Sequence, residues 1–334
     1  MPAGLEPAEL GKMSTGHLFE ILEPERKLKP LGERLYRLAR QGVWVGTSSW
    51  KYEGWFGQVY TRERYFVRGR YSQRKFLDEC LAEYAETFPI VGGDFSFYQF
   101  PSPAYWKKLF TSAPPTLLYG LKVPEEITVK IYPGHERYGV RAGQTNENFL
   151  NAELFKTAFL KLLEPYQTQV GVLIFEFGTF PKKAYPSVEP FVEDLDRFLK
   201  ALPTGWRYAV EIRNPEFLEP PYFACLRSHG VAHVFNAWTR MPELTIQLSI
   251  PDAFTAPYTV CRALLKRGRT YEEAVRLFEP YDRIQEVVPK AREGLRELIQ
   301  RTLTQRTTAY IFVNTRLEGN APGTIEAVLE SVDV

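Results

Sequence analysis

Cysteine and histidine are scarce in this chain of 334 residues. The three cysteines, Cys80, Cys225 and Cys261, lie far apart and form no CxxC pair. That spacing argues against a disulfide framework or a structural zinc site and fits a reducing, cytoplasmic setting. The four histidines are His17, His135, His229 and His233. A helix ending at Gly230 separates the last two, so they form no i, i+4 ligand pair, and a zinc cluster is not expected. No apolar run approaches a membrane span and no basic-then-apolar leader opens the chain, so neither insertion nor secretion is expected. An excess of one charge is also missing: 42 Lys and Arg against 40 Asp and Glu leave +2. Affinity for nucleic acid therefore has to come from a local patch. The sequence carries no P-loop, dinucleotide fingerprint, GxSxG elbow or HExxH motif, which lowers phosphate-loop, nicotinamide, serine-hydrolase and zincin chemistry. A magnesium or manganese ion held by carboxylates stays open as a cofactor.

What the chain has in quantity is aromatic side chains, 14% of all residues, and a repeated alternation of strand and helix. Residues 1–42 read as an N-terminal extension, with a polar opening and then an amphipathic helix over 31–39. Its apolar Leu31, Leu35 and Leu38 recur at helical spacing, and Gly42 stops it. From Val43 to the end, strands beginning at Val43, Ile90, Leu117, Val170, Trp206, Val231, Pro257 and Ala309 alternate with helices. The helices are expected over 73–88, 103–112, 147–165, 189–201, 220–229, 283–305 and 323–332. The connection over 238–256 shows no clear helix and reads as holding a short extra strand at 245–250. The pattern predicts a (β/α)8 TIM-type barrel occupying 43–334 as one domain.

In such a barrel successive strand residues alternate between the interior and the helix layer, and the reactive pocket forms where strands end. On the fifth strand Val210 and Ile212 suit the helix layer, which turns Ala209, Glu211 and Arg213 inward. The same parity turns Lys122 inward on the third strand and Cys261 outward beside an inward Arg262. Asp94 and Ser96 end the second strand, Glu176 the fourth, Asn236 the sixth and Asn314 the eighth. Lys122, Arg213 and Arg262 are thereby expected to share one cavity with Asp94, Glu176 and Glu211. Burying such groups unpaired costs several kcal/mol each, so they either work or pair.

Six blocks at these strand ends, WVGTSSWKYEGWFGQVY, FSFYQFPSP, YGLKVPEEIT, GVLIFEF, YAVEIRNPEF and IFVNTRLEGNAP, closely resemble in order those of the YecE-like family, domain of unknown function 72. The resemblance spans roughly 43–332 and implies a TIM-type barrel without a settled activity. Recurrent polar positions of that family match Trp50, Tyr52, Tyr98, Lys122, Glu211, Arg213, Arg262, Asn314 and Glu318. Asn214, inside the fifth block, joins them as an expected substrate-binding residue with Asp94. Departures are present too. Gly92 and Asp94 stand where the family usually has Glu and Asn, and Glu176 where it tends to have Gln. Val129 stands where a His is common, and Asn314, Thr315 and Arg316 replace an Asn-Asn-His run. A carboxylate has moved from the second strand to the fourth.

Two function classes follow. Glu176 and Glu211 close adjacent strands about 4.8 Å apart and can share a proton or a water, splitting into acid and base. With Lys122 they form the expected catalytic set for a small anionic or sugar-containing substrate, by hydrolysis or isomerisation, while Lys122, Arg213 and Arg262 stabilise an anion. The competing view of the same residues pairs Glu211 with Arg213 or Lys122 as a salt bridge. Trp50, Tyr52, Trp55 and Tyr60 read as an aromatic wall over the pocket, two of the four as a cap. The second class is nucleic-acid binding or phosphodiester cleavage through 61–75, whose six basic residues and single acidic one are interleaved with Tyr65, Phe66 and Tyr71.

Overall fold

The computed structural model describes residues 29–332. His17 and the polar opening of the chain lie outside the described residues. Eight parallel strands close a barrel. They are β1 (Val43–Thr47), β2 (Ile90–Gly93), β3 (Leu118–Lys122), β4 (Val170–Phe177), β5 (Tyr208–Ile212), β6 (Ala232–Ala237), β7 (Tyr258–Ala263) and β8 (Thr308–Val313). Neighbours run in sequence order, with β8 closing on β1. Each strand is a short β-branched and aromatic run, as required where both faces are covered, and every residue of β4 is buried.

Alternation sorts the core into two shells. Val45, Val91, Leu121, Phe175, Val210, Ile212, Cys261 and Ile311 pack outward against the helices. Trp44, Ile90, Leu118, Val172, Ile174, Ala209, Val234, Val260, Tyr310 and Phe312 fill the interior. The expected parity of Val210, Ile212 and Cys261 is therefore the observed one.

The lower end of the barrel is closed by the helix Pro30–Arg40, which belongs to the barrel core as firmly as the strands do. Leu35 and Leu38 join the outer shell, while Tyr36 and Ala39 join the interior one. The Tyr36 hydroxyl donates to the Ala85 carbonyl at 2.6 Å. Higher up, the Phe312 ring spreads across the interior into room left by two glycines. A Cβ on Gly120 would stand 2.2 Å from Phe312 Cζ, and one on Gly92 2.6 Å from its Cδ1. The departure at Gly92 thus has a packing reason.

Two connections differ from expectation. The extra strand at 245–250 is instead part of a helix, Leu244–Leu248, whose Leu244 and Leu248 are buried four residues apart while Ile246 is exposed. One helical turn returns Gln247 to β6, where it accepts from Asn236 N at 3.1 Å and donates to the Asn236 carbonyl at 2.7 Å. A further helix, Tyr271–Phe278, opens with a Thr270/Glu273 capping box. The helix expected over 283–305 begins only at Pro289.

Candidate active site

Alternation brings charge to the mouth because the residue two beyond an inward hydrocarbon also faces inward. Lys122 follows Leu118 and Gly120, Glu176 follows Val172 and Ile174, Glu211 follows Ala209, and Arg262 follows Val260. Lys122 Nζ stands 2.9 Å from Asp94 Oδ1 and 2.9 Å from Glu176 Oε2. Glu176 Oε2 also accepts Arg213 Nη2 at 2.9 Å, and Arg262 Nη1. That same Arg262 nitrogen donates to Glu211 Oε2, while Arg213 Nε lies 3.2 Å from Glu211 Oε1. Three cations and three carboxylates form one continuous network whose formal charges cancel. The pairing of Glu211 with Arg213, one of the two alternatives left open by the sequence, is present.

Aromatic faces cover the cations. Lys122 Nζ lies 3.5 Å from the Phe97 ring centre, and the Arg213 guanidinium 3.8 Å from that of Trp238. Beyond Trp238 a groove of about 220 Å³ opens between Met241, Leu265, Val287 and Leu317. Sequence reasoning missed Trp238, although it continues the inward parity of Val234 and Asn236.

Burial opposes ionisation of Glu176, but the charges of Arg213, Lys122 and Arg262 outweigh it and hold the carboxyl well below the usual carboxylate range. Burial also works against the Arg262 cation, and Glu211, Glu176 and Asp94 more than offset it, raising its pKa. Glu176 and Glu211 thus meet across a shared arginine. A Glu176 held ionised is a base or a fixed anion, not a proton donor at neutral pH. Exposure divides the network. Lys122, Glu176, Glu211 and Arg262 are buried, whereas the Asp94 side chain is 46% exposed.

The remaining expected residues separate into two groups. Tyr52 is partly buried and packs 4.8 Å from Trp55 and 5.3 Å from Tyr281. Trp50 lies 5.3 Å from Phe95, and the 57% exposed Tyr98 carries the Arg137 guanidinium at 4.7 Å. Trp55 and Tyr60 are fully buried and stacked, so they cap the structure and form no wall. Asn314 Oδ1 accepts from Arg316, at its backbone N–H and at Nη1. Two residues turn back into the fold. Asn214 is buried, accepting from Phe180 N at 2.7 Å and donating to Glu216 Oε1 at 2.7 Å. Glu318 is fully buried and engaged by Arg292, Val288 N and the Thr324 hydroxyl. Both carboxylate and amide are saturated there by protein partners, so the structure does not bring these two into the network.

The network does not suit a divalent cation, because its buried carboxylates already face three cations and offer no free oxygen cluster. Among the described residues one group has metal-ligand geometry, Asp196, Cys225 and His229. It lies between the helices Val188–Lys200 and Pro220–Ser228, and Lys200 Nζ already stands 2.6 Å from Asp196 Oδ2. No described helix is long and apolar enough to cross a membrane.

In the basic segment, Phe66–Val67 and Arg70–Tyr71 form a small antiparallel hairpin. Arg64 pairs with Glu86 at 2.6 Å, Arg62 lies over Phe56 and Tyr71, and Arg74 and Lys75 face Asp78 and Glu79. Tyr65 is buried and bonded to Glu83. Arg68 and Arg70 are left without a carboxylate or a ring among the described residues.

Residues 44–334 match the family model for DUF72, described as a protein of unknown function. No curated protein matches the chain significantly. Among solved structures, a DUF72 family protein from Thermotoga maritima MSB8 superposes with a TM-score of 0.54 at 21% identity, covering 86% of this chain and 98% of that one. A DUF72 family protein from Enterococcus faecalis V583 gives 0.58 at 15% identity, covering 87% and 96%. At these identities the superpositions speak to the fold alone. The family match, however, runs through every strand of the barrel and every residue of its charged mouth, so the chain belongs to the DUF72 family, the one its strand-end motifs resemble.

Proposed function

We propose that the protein is an enzyme performing proton-transfer chemistry on a small polar metabolite at the C-terminal mouth of the barrel. One observation carries this reading: Asp94 is the half-exposed carboxylate of the network and shares Lys122 with buried Glu176, at 2.9 Å each. Asp94 is free to turn toward a substrate hydroxyl or activated C–H and accept its proton, while the Lys122 ammonium faces the negative charge that develops on the substrate oxygen. Glu176, Glu211, Arg213 and Arg262 then act as a fixed electrostatic frame. Their charges are set before the substrate arrives, so no reorganisation accompanies the reaction. Glu176 contributes by holding the Lys122 ammonium in place, 2.9 Å away.

The test needs no prior substrate. Purified protein is incubated with a pool of small hydroxylated and carbonyl metabolites, and depletion is followed by mass spectrometry for wild type and Asp94→Asn. Wild type should consume at least one member, and Asp94→Asn should lower that rate by about 100-fold or more with an almost unchanged melting temperature. A pool left intact by wild type, or an equally active variant, defeats the reading.

A further inference from the structure

Arg316 lies in the turn after β8, two residues past Asn314. Its backbone N–H and Nη1 both donate to Asn314 Oδ1, at 2.8 and 3.1 Å. Nη2 donates to the Tyr271 hydroxyl at 2.8 Å, and the guanidinium rests 4.3 Å from the Tyr271 ring centre. Unlike Lys122, Arg213 and Arg262, it pairs with no carboxylate among the described residues. A guanidinium has five N–H donors, and the two side-chain bonds leave three over, the buried Nε among them.

Tyr52 links this arginine to the charged network. Burial raises the Tyr52 phenol, the Arg316 charge draws it back down, and Asp94 raises it from the network side. Tyr281, 5.3 Å from Tyr52, is pushed up by burial to about 12 with Arg316 again pulling the other way. Arg316 and Asp94 thus act with opposite sign on one tyrosine. The network itself balances three positive charges with three negative ones, so a ligand anion finds no unspent cation within it. Arg316 adds one unopposed positive charge at the rim, on a planar group suited to carboxylate or phosphate.

We infer that Arg316, framed by Asn314, Tyr52 and Tyr271, is the anion-binding subsite of the mouth, and that the ligand bears a carboxylate or phosphate at the end held there. The inference rests on the proposed function only in taking Asp94 and Lys122 as the reacting end; anion binding itself needs no turnover. If Arg316 merely fastened its turn through Asn314 and Tyr271, removing it would lower the melting temperature and leave anion affinity unchanged.

Titration calorimetry with inorganic phosphate, and separately with acetate, tests this on wild type, Arg316→Gln and the remote charge control Lys107→Gln. Wild type should bind at least one of the two anions, and which one it prefers identifies the ligand group. Arg316→Gln should weaken that binding by about tenfold or more, whereas Lys107→Gln should not. Arg316→Lys keeps the positive charge but loses the planar fork, so its affinity should fall below that of wild type while folding is retained, and it carries the test if Arg316→Gln folds poorly. Wild type binding neither anion, or equal affinity in Arg316→Gln, overturns the subsite. Metabolite turnover that survives such a result would leave the proton-transfer proposal standing.

Discussion

The Arg213 guanidinium carbon lies over the indole of Trp238, 3.8 Å from its ring centre. Arg213 is thus held from one side by an aromatic face and from the other by Glu176 and Glu211. Trp238→Ala should destabilise the protein by about 2 kcal/mol from the lost cation–π contact, with lost packing added. Trp238→Phe should recover part of this. Chemical denaturation of the three proteins checks the order, and an unchanged midpoint for Trp238→Ala would remove the contact from the account.

Arg262 is the common partner of two buried carboxylates, so deleting it leaves both short of a cation. Arg262→Met should cost about 3 to 5 kcal/mol. Adding Glu211→Leu should restore much of that loss, because a buried charge without its partner is worse than neither. A double-mutant cycle in urea measures the coupling, and strictly additive losses would contradict the network.

His233 gives a pH signature that is separable from the carboxylates. Burial lowers its pKa to about 3 from 6.5. Between those values the unfolded chain holds a proton that the native state does not. Stability is therefore full above about pH 6.5 and falls as the pH drops toward about 3, by at most about 1.4 kcal/mol per pH unit. Glu176, whose folded pKa is depressed, adds loss in the same direction only once the pH nears its unfolded value of 4.5. Denaturation midpoints between pH 5 and pH 6.5 should thus decline in wild type and flatten in His233→Phe. Parallel slopes would assign the decline elsewhere.

Nucleic-acid affinity through 61–75 should be slight, since partners occupy all its cations except Arg68 and Arg70. Two phosphate contacts on a single strand correspond to a log-log salt slope of about −1.4. Fluorescence anisotropy with labelled single-stranded DNA should give a slope no steeper, abolished in the double variant Arg68→Ser, Arg70→Ser. A much steeper slope would restore the segment as a binding surface.

The barrel was legible because strands have a strict period of two, and that parity sufficed to turn Glu211, Arg262 and Lys122 inward. Which cation meets which carboxylate was not, since Arg262 on β7 reaches across the interior to Glu176 on β4, and such reach depends on every side chain between. Asn214 and Glu318 show the limit of reading strand-end loops: their positions match a motif, but only packing reveals that they bond back into the fold. The Thr270/Glu273 capping box, by contrast, was written in the sequence. The four-residue spacing of Leu244 and Leu248 fits a helix and a strand alike, and Ile246 and Ile250 complete a period of two, so this segment reads as a strand until burial shows Ile246 exposed. Arg316 carried no signal beyond its departure from the family pattern, because a missing ion partner is visible only in three dimensions.

The Phe312 ring over Gly92 and Gly120, with Tyr36 and Ala39 beneath, makes the barrel a cup with a hydrocarbon base. Charges seated on such a base cannot be solvated from below, so their field is directed into the aqueous opening and acts on a ligand approaching there. Asp94, half exposed, is the carboxylate through which the network meets water. A vessel of this kind, closed below and open above, leaves the mouth as the side from which water reaches the charges.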